Sequence, residues 1–132
     1  MHRCEVKVTR EPLLPLPFAF STEHGAVVDF FGVVRESEND ATISGLEYEA
    51  FVEMAEAELG RISEEMTQKF SLGMVIVHHR IGFVPAGEAS LFVRVSARHR
   101  GAAFAGSQRL VELLKSRVPI WKHPIAVRTH SA

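Results

Sequence analysis

The chain has 132 residues and a formal net charge of −1, with 46% hydrophobic and 23% charged residues. That length supports a single domain covering 1–132 with its own core, and that composition excludes a disordered chain. No apolar run is long enough to span a membrane and no basic region followed by an apolar stretch opens the chain, so a soluble, intracellular, cytoplasmic protein is expected.

Cys4 is the only cysteine, which excludes an intrachain disulfide. It opens an alternating segment, Cys4-Glu5-Val6-Lys7-Val8, that predicts a first strand with Cys4 half-buried and no neighbouring base to activate it. Pro12, Pro15 and Pro17 exclude a regular helix from Glu11 to Phe20, apart from a first turn near Phe18. Residues 1–24 thus hold a strand and a proline-rich segment. His24 to Arg35 is rich in β-branched and aromatic residues and predicts a long central strand, with Gly32 marking a bulge or a close backbone approach. Glu36 to Thr42 is polar and predicts an exposed loop. Ile43 to Ala50 predicts another strand, with Leu46 and Tyr48 on one face.

From Val52 to Phe70 the apolar residues Val52, Ala55, Leu59, Ile62, Met66 and Phe70 recur at three and four. This predicts an amphipathic helix whose glutamates (Glu53, Glu56, Glu64, Glu65) solvate the outer face. Met74 to Arg80 predicts a strand, on which His78 and His79 face opposite ways. The seven histidines show no metal-ligand spacing with a carboxylate, so neither a metal nor a cofactor is expected. Phe83 to Glu88 predicts a turn. Ala89 to Ala97 alternates as a strand, with Leu91, Val93 and Val95 on one side and Phe92, Arg94 and Ser96 on the other. Gly101 to Arg117 predicts a second helix, with Phe104, Val111 and Leu114 on its apolar face and Leu110 and Leu113 beside it. Pro119 stops it, and a tail follows, short from 125 to 132. The expected fold is α+β (α/β-hammerhead-like): a mostly antiparallel sheet with two main helices packed on it.

Charge is distributed unevenly. Arg94 to Lys122 holds seven basic residues and one acid, a net of +6, and the remainder of the chain holds eight basic and fifteen acidic residues, a net of −7. One cationic third in a near-neutral chain suits an anionic ligand. Arg98, His99 and Arg100 precede the second helix, where the macrodipole already disfavours cations, so a bound phosphate or plain solvated surface charge both account for them. Lys115 lies at the edge of that helix's apolar face, where partial burial is expected, with Arg117 and Lys122 near it in sequence; a lysine buried beside cations becomes a usable nucleophile or base. His99 and Lys115 are separated by roughly 24 Å along a straight helix. One small anion cannot touch both in one chain. Either there are two sites, or two copies pair so that the start of one helix meets the end of the other.

Five groups of segments also carry a resemblance. They are Gly25-Ala26-Val27-Val28 with Phe31-Gly32-Val33-Val34-Arg35; Leu46-Glu47-Tyr48-Glu49-Ala50; His78-His79-Arg80-Ile81-Gly82; Arg98-His99-Arg100 with Ala103-Phe104; and Leu114-Lys115 through Pro119-Ile120-Trp121-Lys122. In this order, from about Gly25 to Pro124, the chain resembles the catalytic (large) subunit family of molybdopterin synthase. The lysine, arginine, proline and tryptophan block with His99-Arg100 is the specific part. The resemblance implies a sulfurtransferase that converts cyclic pyranopterin monophosphate to molybdopterin, in molybdenum cofactor biosynthesis. The sulfur comes from the C-terminal Gly-Gly thiocarboxylate of a small ubiquitin-like partner, and the assembly is a homodimer of this chain within a heterotetramer. By position it implies Lys115 and Lys122 as catalytic residues, and Val33, Val34, Arg35, His99, Arg100, His123 and Pro124 with them as substrate-binding residues. His99 and Arg100 are expected to reach in from the neighbouring chain. The short tail departs from the pattern, leaving open whether Arg128 replaces a basic contact, and the Pro12–Pro17 stretch departs too. The competing expectation is a non-enzymatic dimeric module that binds a phosphorylated ligand or nucleic acid, with Trp121, Phe92 and Phe104 as stacking surfaces. Phe92 and Phe104 are better placed in a core, and the acidic remainder disfavours an extended nucleic-acid groove.

Overall fold

The structure, a computed structural model, describes residues 3–127, so Arg128 and the end of the expected tail lie outside the described residues. In chain order the elements are β1 (Arg3–Thr9), β2 (Ala26–Val33), β3 (Ser37–Glu38), β4 (Ala41–Ala50), α1 (Val52–Phe70), β5 (Met74–Arg80), β6 (Gly82–Pro85), β7 (Ala89–Ala97), α2 (Arg100–Arg117) and β8 (Ile120–Ala126). The two helices and β5 and β7 fall where the periodicity places them. The β structure divides into two sheets of four strands.

The first sheet runs β1-β5-β7-β2, with β1 parallel to β5 and the other pairs antiparallel. Both helices cover one of its faces. Val75 and Val77 of β5 and Val93 and Val95 of β7 meet Leu59 and Ile62 of α1 and Leu110 of α2, all fully buried. On α2 the buried positions are Ala103, Gly106, Ser107, Leu110 and Leu114, and Phe104, expected on the apolar face and in the core, is 60% exposed. The small residues explain the difference. A Cβ on Gly106 would lie 3.0 Å from the Leu72 side chain, so the helix face that approaches closest is the one with least bulk.

On the second face of this sheet the proline-rich segment lies over Arg94. Arg94 of β7, 4% exposed, stands opposite Asp29 of β2 and binds it with two hydrogen bonds, Nε to Oδ1 at 2.7 Å and Nη2 to Oδ2 at 2.8 Å. The same guanidinium donates to the Leu16 carbonyl at 2.9 Å and lies 4.9 Å from the centre of the Phe18 ring. The segment is irregular, as its prolines require. One planar cation thus joins two strands and the coil above them.

In the second sheet β4 is central. Its Gly45–Tyr48 stretch pairs with β6 on one side, and β8 runs antiparallel along the other, from Ile120 opposite Ala50 to Ala126 opposite Ile43. Three expectations are corrected here. The polar stretch 36–42 is a hairpin: β3 pairs with the start of β4 across Asn39 and Asp40, whose φ angles of 50° and 63° are those of a type I′ turn. Residues 82–85 form β6, so the turn is confined to the residues after Pro85. The tail beyond Pro119 is a strand, because β4 offers it an unpaired edge. Val34, Ile43, Leu46 and Val84 form a second, smaller core. Gly45 sits between β6 and β8, and a Cβ there would overlap the Val84 carbonyl and lie 2.7 Å from the Phe83 ring.

Two outcomes follow. Asp29→Ala leaves the Arg94 guanidinium without its partner and should lower unfolding free energy by about 2–3 kcal/mol in urea titration, with faster proteolysis in the proline-rich segment. Gly45→Ala should cost about 1–3 kcal/mol through overpacking, read by the same titration; native stability in either variant contradicts the corresponding contact.

Candidate functional site

A cavity of about 400 Å³ opens where the two sheets and the C-terminal end of α2 meet. The end of β2 and its exit bring Val33, Val34 and Arg35; α2 brings Leu114 and Lys115; β8 brings Ile120, Trp121 and Lys122. The floor comes from β4, β5 and β7, through Leu46, Tyr48, His79, Ser90 and Leu91.

Local sequence explains each placement. The ladder between β2 and β7 shifts register between Gly32 and Val33, the bulge expected at Gly32, and the chain then turns Val34 inward (3% exposed) while Val33 stays 53% exposed. Helix α2 runs to Arg117 and cannot continue through Pro119. Its last turn puts Leu114 in the core and Lys115 beside it at the cavity edge. In the isolated protomer Lys115 is exposed, not partly buried as expected, because Leu114 takes the inward position and the next residue lies about 100° around the helix. Strand β8 then returns along β4 and sets Lys122 opposite Tyr48. Residues directly opposite in an antiparallel pair share a face, so Lys122 is aimed at the same cavity as Tyr48.

The cationic window separates into committed and uncommitted charges. Arg94 is held by Asp29. Arg117 binds α1, with Nη1 2.7 Å from Glu65 Oε2 and Nη2 3.0 Å from Glu58 Oε1. The Glu58 carboxyl is held below the usual carboxylate range by Arg61 first and Arg117 second, and the Glu65 carboxyl by Arg117. Arg109 faces Glu112 at 3.6 Å. Among the described residues Arg35, Arg98, Arg100 and Lys115 form no ion pair, and Lys122 Nζ lies 3.7 Å from Glu38 Oε1. The cavity therefore has three cationic side chains at its rim and one carboxylate.

The structure brings Val33, Val34, Arg35, Lys115 and Lys122 together and leaves the other four candidates outside the cavity lining. His123 lies opposite Glu47 on the other face of β8, 3.8 Å from Glu49 Oε2. Pro124 lies opposite Leu46, two residues beyond Lys122 and exposed. His99 is the N-cap of α2 and Arg100 its first residue; both are exposed, and the first turn carries no acid. They stand roughly 24 Å along the helix from Lys115, so within one protomer they do not share its cavity.

Sequence reasoning missed Tyr48, His79 and Ser90 as cavity residues. The Tyr48 hydroxyl donates to Ser90 Oγ at 3.1 Å, and His79 Nδ1 lies 2.8 Å from the Arg80 carbonyl. Burial lowers the His79 ring from the ordinary histidine value, with the Arg80 hydrogen bond opposing it, so the ring is neutral at neutral pH. The facing rule for His78 and His79 holds: His78 Nε2 reaches Glu5 at 3.0 Å on the opposite face. The signal for Tyr48 was its opposition to Lys122, which exists only once β8 is known to pair with β4. Cys4 is half-buried beside Thr67, 3.5 Å from its Oγ1, and burial pushes its thiol up, away from reactivity.

Among the described residues no helix is long and apolar enough to cross a membrane. The family model described as MoaE protein matches residues 8–117. A molybdopterin synthase catalytic subunit from Emericella nidulans is 39% identical over 86% of this chain and 58% of that one, and one from Bos taurus is 39% identical over 82% and 57%. The chain thus spans less than two thirds of the length of these two relatives, whereas it matches the catalytic subunit from Thermoplasma volcanium at 35% identity over 91% of this chain and 90% of that one. The crystal structure of molybdopterin synthase from Staphylococcus aureus superposes with a TM-score of 0.84 at 32% identity, covering 92% of this chain and 91% of that one. A chain from the complex of subunits 1 and 2 of the molybdopterin-converting factor of Helicobacter pylori superposes with a TM-score of 0.60 at 25% identity, over 83% and 75%. With the family model covering most of the chain and a relative 35% identical over 91% of it, the chain belongs to the MoaE protein family.

Proposed function

We propose that this chain is the catalytic subunit of a cytoplasmic molybdopterin synthase. It binds cyclic pyranopterin monophosphate and installs two sulfurs as a dithiolene, one from the C-terminal thiocarboxylate of each of two small ubiquitin-like carrier molecules, which leave as carboxylates. The observation that carries this reading is the convergence of Arg35, Lys115 and Lys122 on one cavity in a chain of this family. A volume of about 400 Å³ suits a fused-ring ligand with a short charged branch.

The chemistry fits the charges. Both the phosphate ester and the thiocarboxylate are anions, and a cleft with cationic walls and low-dielectric floor concentrates them. Arg35 is the planar donor suited to the phosphate. Lys115 and Lys122 both line the cavity, one on a helix and one on a strand. They flank the place where the carrier's terminal carbonyl meets the pterin, stabilise the anionic intermediates of sulfur transfer and move protons. The sulfur nucleophile is the carrier's own, which agrees with a chain whose single cysteine, Cys4, lies outside the cavity lining and has its thiol pushed up by burial. His123 and Pro124, on β8 beside Lys122, belong to the mouth that receives the carrier tail.

Two copies of the chain complete the pocket. Arg98, His99 and Arg100 crowd the positive end of α2 with no ion pair among the described residues, an arrangement that an anion offsets. Pairing sets this end of one α2 at the cavity of the other copy, giving two equivalent composite pockets. Val33, Trp121 and Ile125, 53%, 40% and 40% exposed, are apolar residues that such a pairing or the carrier covers.

Lys115→Ala should abolish product when the chain is mixed with thiocarboxylated carrier and the cyclic pterin, with an unchanged melting temperature; full activity would remove Lys115 from the mechanism. A mixture of Lys115→Ala and Arg100→Ala chains, each inactive alone, should regain about one quarter of native activity through hybrid dimers with one intact pocket. No recovery in hybrids verified by mass spectrometry would place both residues in the same protomer's site or outside any site.

A further inference from the structure

The rim of the cavity is cationic and its floor is not. Among Leu46, Leu91 and Leu114, the polar side chains at the floor are Tyr48, His79 and Ser90. Two of these have their protons committed: Tyr48 donates to Ser90 Oγ at 3.1 Å, and Ser90 Oγ donates to the Gly32 carbonyl at 3.4 Å. His79 is different. A carbonyl oxygen only accepts, so the 2.8 Å contact with the Arg80 carbonyl puts the hydrogen on Nδ1. Nε2 is then a bare lone pair on a side chain that is 5% exposed. It has no hydrogen-bond partner among the described residues. Nor is it one of the two sealed polar atoms there without partners, Ser63 Oγ and Arg80 Nε. The residue lines the cavity, and Nε2 is its ring nitrogen left without a partner among the described residues.

A phosphate or thiocarboxylate carries acceptors and has no use for a second acceptor. A reduced pterin carries ring N–H and amino donors, which do. We propose that His79 is a specificity-determining residue of this cavity, its Nε2 accepting a hydrogen bond from an N–H of the bound heterocycle whose phosphate lies at the cationic rim. This rests on the pterin reading above and adds the direction in which the ring enters: donors down to His79, phosphate up to Arg35 and the lysines. The acceptor is preorganised. The Nδ1 bond fixes one side of the imidazole, and the Tyr48 ring, edge-on at 68° with centroids 5.2 Å apart, fixes its plane. An analogue without that N–H leaves a desolvated lone pair unmet, which is how such a site rejects it.

The test is equilibrium binding to the native chain without carrier, using cyclic pyranopterin monophosphate and, separately, inorganic phosphate. His79→Phe should weaken the pterin about ten- to a hundredfold while phosphate binds as before. His79→Gln, which restores an acceptor near the same point, should recover most of the loss. Equal weakening of pterin and phosphate, or native pterin affinity in His79→Phe, overturns the proposal. If the wild-type chain itself does not bind the pterin, the functional reading fails with it, and that control separates the two failures. Should neither variant fold, the ¹⁵N resonance of His79 Nε2 in the wild-type chain decides: it should move upfield with the pterin and stay in place with inorganic phosphate, and no movement with the pterin overturns the assignment.

Discussion

The ladder between β4 and β8 is the constraint on which the site depends. Helix α2 ends beside the cavity with Lys115 at the edge, and the next cation of the lining, Lys122, lies beyond the helix. Pro119 ends the helix, and the free edge of β4 captures the chain that follows. The register then does the rest. Because Ile120 pairs with Ala50, Lys122 must stand opposite Tyr48, over a floor that β5 and β7 have already built. A slip of one residue would turn Lys122 outward and His123 inward, exchanging a flexible ammonium for an imidazole.

The same economy governs the charges. The first sheet is covered by helices on one face, and on the other a proline-rich coil lies over Arg94, and a coil has no regular ladder to hold it down. Arg94 supplies that anchorage by serving two carbonyl and carboxylate partners from a single planar group. Arg117 ties the end of α2 to the acidic face of α1. Once these structural cations are satisfied, the surplus positive charge lies at the two ends of α2: Arg98 and Arg100 at its start, Lys115 with Lys122 at its finish. A cationic helix start is unfavourable by itself, and a cavity with three cations and one carboxylate is unfavourable empty. Both are relieved by anions.

Regular periodicity was legible and compensated irregularity was not. Helix α1 and strands β5 and β7 were readable because their buried positions repeat at fixed intervals, as Ala55, Leu59, Ile62 and Met66 do. Helix α2 was readable in extent but not in orientation: its closest face is made of Ala103, Gly106 and Ser107, and a pattern that seeks bulk picks Phe104 instead. Strand β3 was hidden because two residues of strand carry no period, although Asn39-Asp40 was the turn signal. Strands β6 and β8 are short or exposed, and their pairing energy resides in the edges of β4, far away in sequence.

What the sequence by itself determined is local: which stretches are helical or extended, where proline and glycine interrupt them, that Cys4 stands alone, and, through its motifs, the family to which the chain belongs. What only the tertiary structure decided is which charges are spent and which are free, and which floor lies beneath the free ones. Arg94 and Arg117 look no different from Arg98 and Arg100 in the sequence; Asp29, Glu58 and Glu65 separate them, across 65, 59 and 52 residues of chain. The reason is physical. Periodicity records the contacts a residue makes within its own element, whereas an ion pair or a cavity floor is made by residues whose meeting is fixed by strand register and helix packing, and neither leaves a mark at the position where it acts.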